Sequence, residues 1–205
     1  MNRLIGYVRA AIMSIGVAVL GLATPSWGQL QEVTLNPTAD TYLNGKHLDD
    51  VHFQQCNYGG HERLFVGDDW FESQTVTVPG PLRILIAFGD LSAIPPGSRI
   101  VSAELILHYA EHPPASRGDH TMSLYRLLRN WQEGTRYGQP AEQATATFLS
   151  ALHDVVGGLW KVPGADGTAD REATPSATTV YRLGNNLIFS GQGLIRDVQD
   201  FLDHP

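Results

Sequence analysis

The chain has 205 residues and a net charge of −7, from 14 basic against 21 acidic side chains. An acidic balance of this size argues against nucleic acid as a partner, because phosphate contacts need a basic face. Cys56 is the only cysteine, which excludes an internal disulfide, and the length suits one domain with its own core.

Residues 1–9 carry Arg3 and Arg9 and no acid, residues 10–23 (AAIMSIGVAVLGLA) are uncharged and apolar, and Pro25 with small residues follows. This is the layout of a secretory signal peptide, with cleavage expected after Gly28 and no membrane attachment afterwards. The apolar run is shorter than the roughly 20 residues that span a bilayer, which weighs against the alternative of a retained anchor. No cysteine directly follows it to carry a lipid. Cleavage leaves 12 basic against 21 acidic residues, a net charge of −9 for residues 29–205. The expected location is extracellular or periplasmic.

The remaining chain reads mostly as strands. Residues 32–43 (EVTLNPTADTYL) alternate Val33, Leu35 and Tyr42 with polar residues, and 62–69 (ERLFVGDD) is a short apolar run ended by Gly-Asp-Asp. In 81–91 (PLRILIAFGDL), Leu82, Ile84, Ile86 and Phe88 share one face and Leu85 and Ala87 the other. Residues 98–109, 121–128, 178–184 and 187–190 continue the pattern. Period-two alternation bounded by Gly, Pro, Asn and Asp is the strand signature, and several such strands suggest a sandwich. Two segments read as helix. Residues 140–156 (PAEQATATFLSALHDVV) start at proline and place Phe148, Leu152 and Val155 on one stripe; 193–205 place Leu194, Ile195, Val198, Phe201 and Leu202 at helical spacing. The expected fold is all-β, a jelly-roll-like antiparallel β-sandwich with one or two short helices.

Residues 108–112, HYAEH, match the H-x-x-E-H pattern of a group of zinc peptidases. That chemistry needs a helix, where residues four apart stack on one face. Here the segment continues the alternating AELILHY and runs into Pro113-Pro114, which disfavours helix. On a strand the two histidines lie about 13 Å apart, and zinc at about 2.1 Å from each nitrogen cannot bridge them. No G-x-S-x-G nucleophile elbow is present, and FSGQG (189–193) does not supply one. The chain is therefore expected to be non-catalytic and to hold no catalytic metal.

The order of segments resembles the DNRLRE domain, a disaggregatase-related carbohydrate-binding module. The resemblance runs over residues 33–205 and rests on PTADTYL followed by NYGGHERLFVG, RILIAFGDLSAIPPGSRIVSAELILHY, SLYRLLRNWQEGT, LWKVPGADGTAD and GLIRDVQDFLDHP. This chain departs from the family pattern in having Gly89 and Asp90 where a single Asp is usual, and Phe201 where a closing Trp is usual. The family continues with Asn-x-Gly and a last apolar strand beyond the position of Pro205. The resemblance thus implies one domain over 29–205, C-terminally truncated, that belongs with other domains of a longer parent protein; a variant that closes differently is the alternative.

Carbohydrate binding is what the resemblance implies. Sugars stack apolar C–H faces on aromatic rings and hydrogen-bond through hydroxyls, so loop aromatics are the candidates. These are Tyr58, Trp70, Trp131, Tyr137 and Trp160, and the cations near them are Arg63, Arg129 and Arg136, suited to the carboxylates of an acidic polymer. Tyr58, Arg63, Trp131, Arg136 and Tyr137 form the expected carbohydrate-binding set. Core packing is the competing reading for Trp131 and Trp160. For Asn57-Tyr58-Gly59-Gly60 the competing reading is a turn, although a Gly-rich turn would also leave Tyr58 exposed. Structural calcium is a further candidate, through Asp40, Asp49, Asp50, Asp68, Asp69, Asp166 or Asp170; solvated loop acids are the competing reading. The rival function is a structural or adhesion module of a surface or matrix protein with no sugar site.

Overall fold

A computed structural model describes residues 5–9, 13–15, 30–46, 53–72, 77–111, 120–182 and 185–205. Its strands in chain order are β1 (Ile5–Arg9), β2 (Met13–Ile15), β3 (Val33–Leu35), β4 (Ala39–Asn44), β5 (Cys56–Asn57) and β6 (Leu64–Glu72). β7 (Thr77–Ala87), β8 (Glu104–Glu111), β9 (His120–Leu124), β10 (Gln139–Pro140), β11 (Ala177–Tyr181) and β12 (Leu187–Ser190) follow. The helix α1 (Gln192–Asp203) comes last. A six-stranded sheet has the order β12-β8-β1-β6-β7-β4, and three two-stranded pairs join β5 to β10, β9 to β11 and β2 to β3. Every strand pair is antiparallel, so the fold is all-β with a single α-helix among the described residues.

Alternation decides which side chains meet. On β8, Leu105 and Leu107 are buried while Glu104 is exposed. On β4 and β7 both faces are covered. Tyr42 and Leu82 enter the main core with Leu64, Leu105, Tyr181 and Phe189. Leu43 and Leu85, one residue out of phase, enter a second cluster with Phe148, Trp160, Ala146 and Ala165. Because successive strand residues point to opposite faces, residues 145–165 must act as a lid over the outer face of β4 and β7.

That lid corrects one expectation. Residues 140–156 are not a helix; they form turns, with Ala144 and Asp154 at positive φ and a bridge between Ser150 and Leu159. The physical reason is local competition for backbone groups. Thr147 Oγ1 accepts the N–H groups of Leu149 (3.2 Å) and Ser150 (3.0 Å), and Thr145 Oγ1 donates to the Glu142 carbonyl (2.8 Å). Such side-chain bonds offer the backbone an alternative to the helical ladder. The second expected helix is present as α1, with Leu194 and Val198 buried.

The histidine pattern sits where a strand was expected. His108 to Glu111 are the last four residues of β8, an extended geometry that separates positions a helix would stack. His112 lies outside the described residues. β1 and β2 come from the segment assigned by sequence to the leader. β1 lies between β6 and β8, with Gly6 opposite Val66 and Arg9 opposite His108. Cleavage after Gly28 would take this strand away and leave the facing edges of β6 and β8 without it.

Candidate functional site

The segment 57–61 starts at the last residue of β5 and packs against the loop 133–138. Its organiser is Asn57, which is fully buried. The side-chain amide nitrogen donates to the carbonyls of Glu133 (2.5 Å) and Ala146 (2.9 Å). Its oxygen accepts the N–H of Gly59 (3.2 Å) and of Arg136 (3.1 Å). That uses both donors and both acceptor sites of the side chain. The two glycines are needed for close approach. A Cβ on Gly59 would stand 2.3 Å from the Glu133 carbonyl oxygen, and one on Gly60 would stand 2.3 Å from that of Thr135. Asn57, Gly59 and Gly60 therefore act as a clasp that holds residues 133–138 against the sheet.

The clasp carries a pile of aromatic rings. Tyr42 lies 4.3 Å from Tyr58 and 4.8 Å from Phe65, centroid to centroid. His61 meets Tyr42 and Phe65 edge-on, at 5.7 and 5.1 Å. Its outer face is stacked on Tyr137, 4.1 Å away and within 10° of parallel. Tyr137 is the outermost ring and is 59% exposed. Tyr58, by contrast, is 5% exposed, and its hydroxyl accepts from Asn44 Nδ2 (3.2 Å). The expectation of an open Tyr58 is thus corrected: the Gly-rich turn bends the ring inward onto Tyr42, and a sugar cannot reach it.

Electrostatics keep the stack neutral. Burial holds the His61 imidazole below its ordinary value, and the Arg63 charge adds to this. The Arg63 backbone N–H donates to Nδ1 (3.1 Å), which leaves the proton on Nε2. Between the lowered folded value and about 6.5, the unfolded chain binds more protons than the folded one, so acid favours unfolding. Relative to His61→Phe, the parent's midpoint of urea unfolding is expected to fall from pH 7 towards about pH 5, through the unperturbed His value of about 6.5; the raised Asp40 and Glu133 carboxyls act with the opposite sign in both chains. Identical profiles for the two chains would show that the ring is not held neutral by its site. Burial also raises the carboxyls of Asp40 and Glu133 above their ordinary range. Their mutual repulsion adds to this at Glu133, and the Asp40 backbone amide opposes it there.

The structure separates the other sequence candidates. Arg136 adjoins Tyr137, and its Nε pairs with Glu142 (3.2 Å) while its carbonyl accepts from Gly60 (2.8 Å). Arg63 is exposed two residues beyond His61. Trp131 is half-buried and packs on the second cluster, away from the ring pile. Trp160 is 4% exposed, and its indole N–H donates to the Thr147 carbonyl (2.9 Å). Arg129 donates to the carbonyls of Leu159 and Gly157, both at 2.6 Å. The side chain of Trp70 lies outside the described residues. His61 was missed by sequence reasoning, which looked only for Tyr and Trp; its place directly after the Gly-Gly turn was the available signal.

The calcium candidates divide similarly. Asp170 is fully buried, not solvated. Its two oxygens accept the N–H groups of Lys161 and Val162, both at 2.9 Å, with Arg129 3.6 Å away. Asp166 lies between Arg83 (3.0 Å) and Arg171 (2.8 Å). Burial alone would raise its carboxyl, but the two guanidinium groups outweigh that and hold it low. Both acids are thus committed to protein donors. Asp49 and Asp50, and the side chains of Asp68 and Asp69, lie outside the described residues. Among the described residues no three His, Cys, Asp or Glu side chains gather to hold a metal ion.

No protein family, curated protein or solved structure matches the chain. The functional reading therefore rests on the site itself.

Proposed function

We propose that the chain is a secreted, non-catalytic carbohydrate-binding module of the DNRLRE kind, with the strands arranged as a jelly-roll-like sandwich, and that its ligand is a polysaccharide. The observation that carries this reading is the exposed Tyr137 ring backed by His61 at 4.1 Å. A ring held flat from behind is ready for the C–H face of a sugar, and little side-chain freedom is lost on binding. Arg63, two residues beyond His61, and Arg136, next to Tyr137 in sequence, are the donors proposed for hydroxyls; Arg136 would meet a carboxylate of an acidic polymer by exchanging Glu142 for it. The platform is set by the clasp, which explains why Asn57 and the two glycines belong to the site without touching a ligand.

The second reading, a structural or adhesion module, is favoured by the burial of Tyr58 and Trp160, which leaves fewer rings for a sugar. Affinity electrophoresis through gels containing polyuronates or neutral glycans separates the two. Retardation by at least one polymer is expected, with no release of new reducing ends. Unretarded migration in every gel would overturn the binding module in favour of the adhesion reading.

A further inference from the structure

α1 has a second face. Behind buried Leu194 and Val198, the residues Gln192, Ile195, Arg196, Gln199 and Asp203 recur at three- and four-residue spacing and form one stripe. Gln199 ties that stripe to the segment 98–101, accepting the Ile100 N–H (2.9 Å) and donating to the Ser98 carbonyl (3.2 Å). Between the two walls lies an open cleft of about 470 Å³, with Arg99 on one side and Arg196 on the other. This is within the roughly 300–1,000 Å³ of ordinary ligand sites.

The charges in the cleft are not balanced against each other. Asp200 pairs with Arg126 and with His204 Nδ1 (3.1 Å), and Asp203 accepts from Gln199 Nε2 (3.1 Å). Elsewhere Arg83, Arg129, Arg136 and Arg171 each hold a carboxylate. The guanidinium groups of Arg99 and Arg196 make no ion pair or hydrogen bond with a described residue. Arg126 offsets Asp200, whereas Asp203 keeps its charge because its partner Gln199 is neutral; two open arginines against that one carboxylate still leave the cleft set for an anion.

We propose that this cleft binds the carboxylates of an acidic oligosaccharide, one guanidinium from each wall pairing with it. The proposal rests on the module reading and adds a second contact. α1 packs on β12, at one edge of the six-stranded sheet, whereas the Tyr137 platform lies beside β4 at the other. The overall charge, −7 for the full chain and −9 for residues 29–205, opposes a polyanion. At about 0.15 M salt, however, charges more than about 8 Å away are screened, so the groups in the cleft decide the contact, Arg99 and Arg196 against the carboxylate of Asp203. Guanidinium suits this role because its planar fork meets a carboxylate with two parallel hydrogen bonds.

The test titrates the whole chain with trigalacturonate and with its uncharged methyl ester. The acid form is expected to bind at least tenfold tighter, and added salt should weaken it. The double variant Arg99→Gln/Arg196→Gln should lose at least tenfold in affinity for the acid, with unchanged melting temperature and unchanged retardation by any neutral glycan. Equal affinity for acid and ester, or a double variant that binds the acid like the parent, would overturn the cleft. Retention on a neutral glycan alongside either result would leave the module reading standing. No binding to any saccharide would remove both.

Discussion

Replacing Asn57 with alanine is expected to cost at least about 3 kcal/mol of folding stability. The side chain is fully buried and makes four hydrogen bonds, to Glu133, Ala146, Gly59 and Arg136. Its removal leaves two carbonyls and two N–H groups to find other partners, and each buried group left unsatisfied costs about 1–3 kcal/mol. Water entering the space will recover part of this, so the sum stays well below four full penalties. A loss near 3 kcal/mol is still a large share of the roughly 5–15 kcal/mol that holds a domain folded. Asn57→Asp keeps the two acceptor sites but loses both donors and adds a buried charge, so it should be no milder. Equilibrium urea unfolding measures the loss. A change under about 1 kcal/mol, the net worth of one ordinary hydrogen bond, would mean that residues 133–138 are held by something other than the clasp.

Asp170→Ala should have an effect of similar size, for a different reason. The carboxylate faces two backbone N–H groups at 2.9 Å and the Arg129 guanidinium at 3.6 Å, from a fully buried position. Removing one partner of a buried pair costs about 3–5 kcal/mol, because the other is left uncompensated. Arg129 keeps its two carbonyl acceptors and some solvent contact, so the low end, about 3 kcal/mol, is expected. At roughly 2–4 °C per kcal/mol for a domain of this size, the melting temperature should fall by about 10 °C. Asp170→Asn should also destabilise, since its amide would direct a donor at one of the two N–H groups. A melting temperature unchanged by either substitution, with calcium added or removed, would show that the buried carboxylate does not pin residues 157–170.

These two residues also show where sequence reading works and where it stops. Strands with strong alternation were legible because the pattern is local. Leu82, Ile84, Ile86 and Phe88 fall on the main core and Leu85 on the second cluster, as period two requires. α1 was legible from its apolar stripe. Residues 140–156 were misread because alanine, leucine and phenylalanine at helical spacing carry no record of what the threonines do. The bonds to Thr147 Oγ1 break the helical ladder, and the Ala146 carbonyl is taken by Asn57, 89 residues away. Asp170 was misread as a solvated acid for the same reason: its partners are turn amides that exist only once the loop has formed. The candidate site was half legible. Arg136 and Tyr137 stand beside the 57–61 turn, yet the stack of His61 on Tyr137 joins residues 76 positions apart, and no local pattern announces it. Tyr58 shows the opposite error, a ring judged by its turn whose place is set by Tyr42 across the sheet.

On the proposed reading, Tyr137, backed by His61, is the surface a sugar would meet. Isothermal titration of the parent chain and of Tyr137→Ala, against the polysaccharide that retards the parent most in the gel, tests it most directly. An exposed ring contributes little to the fold, so the melting temperature should move by no more than about 1–2 °C, the equivalent of about half a kcal/mol. Losing an aromatic stacking contact should weaken binding at least tenfold, about 1.4 kcal/mol. A folded Tyr137→Ala chain that binds the same polysaccharide with the parent's affinity would rule out Tyr137 as the sugar-binding surface.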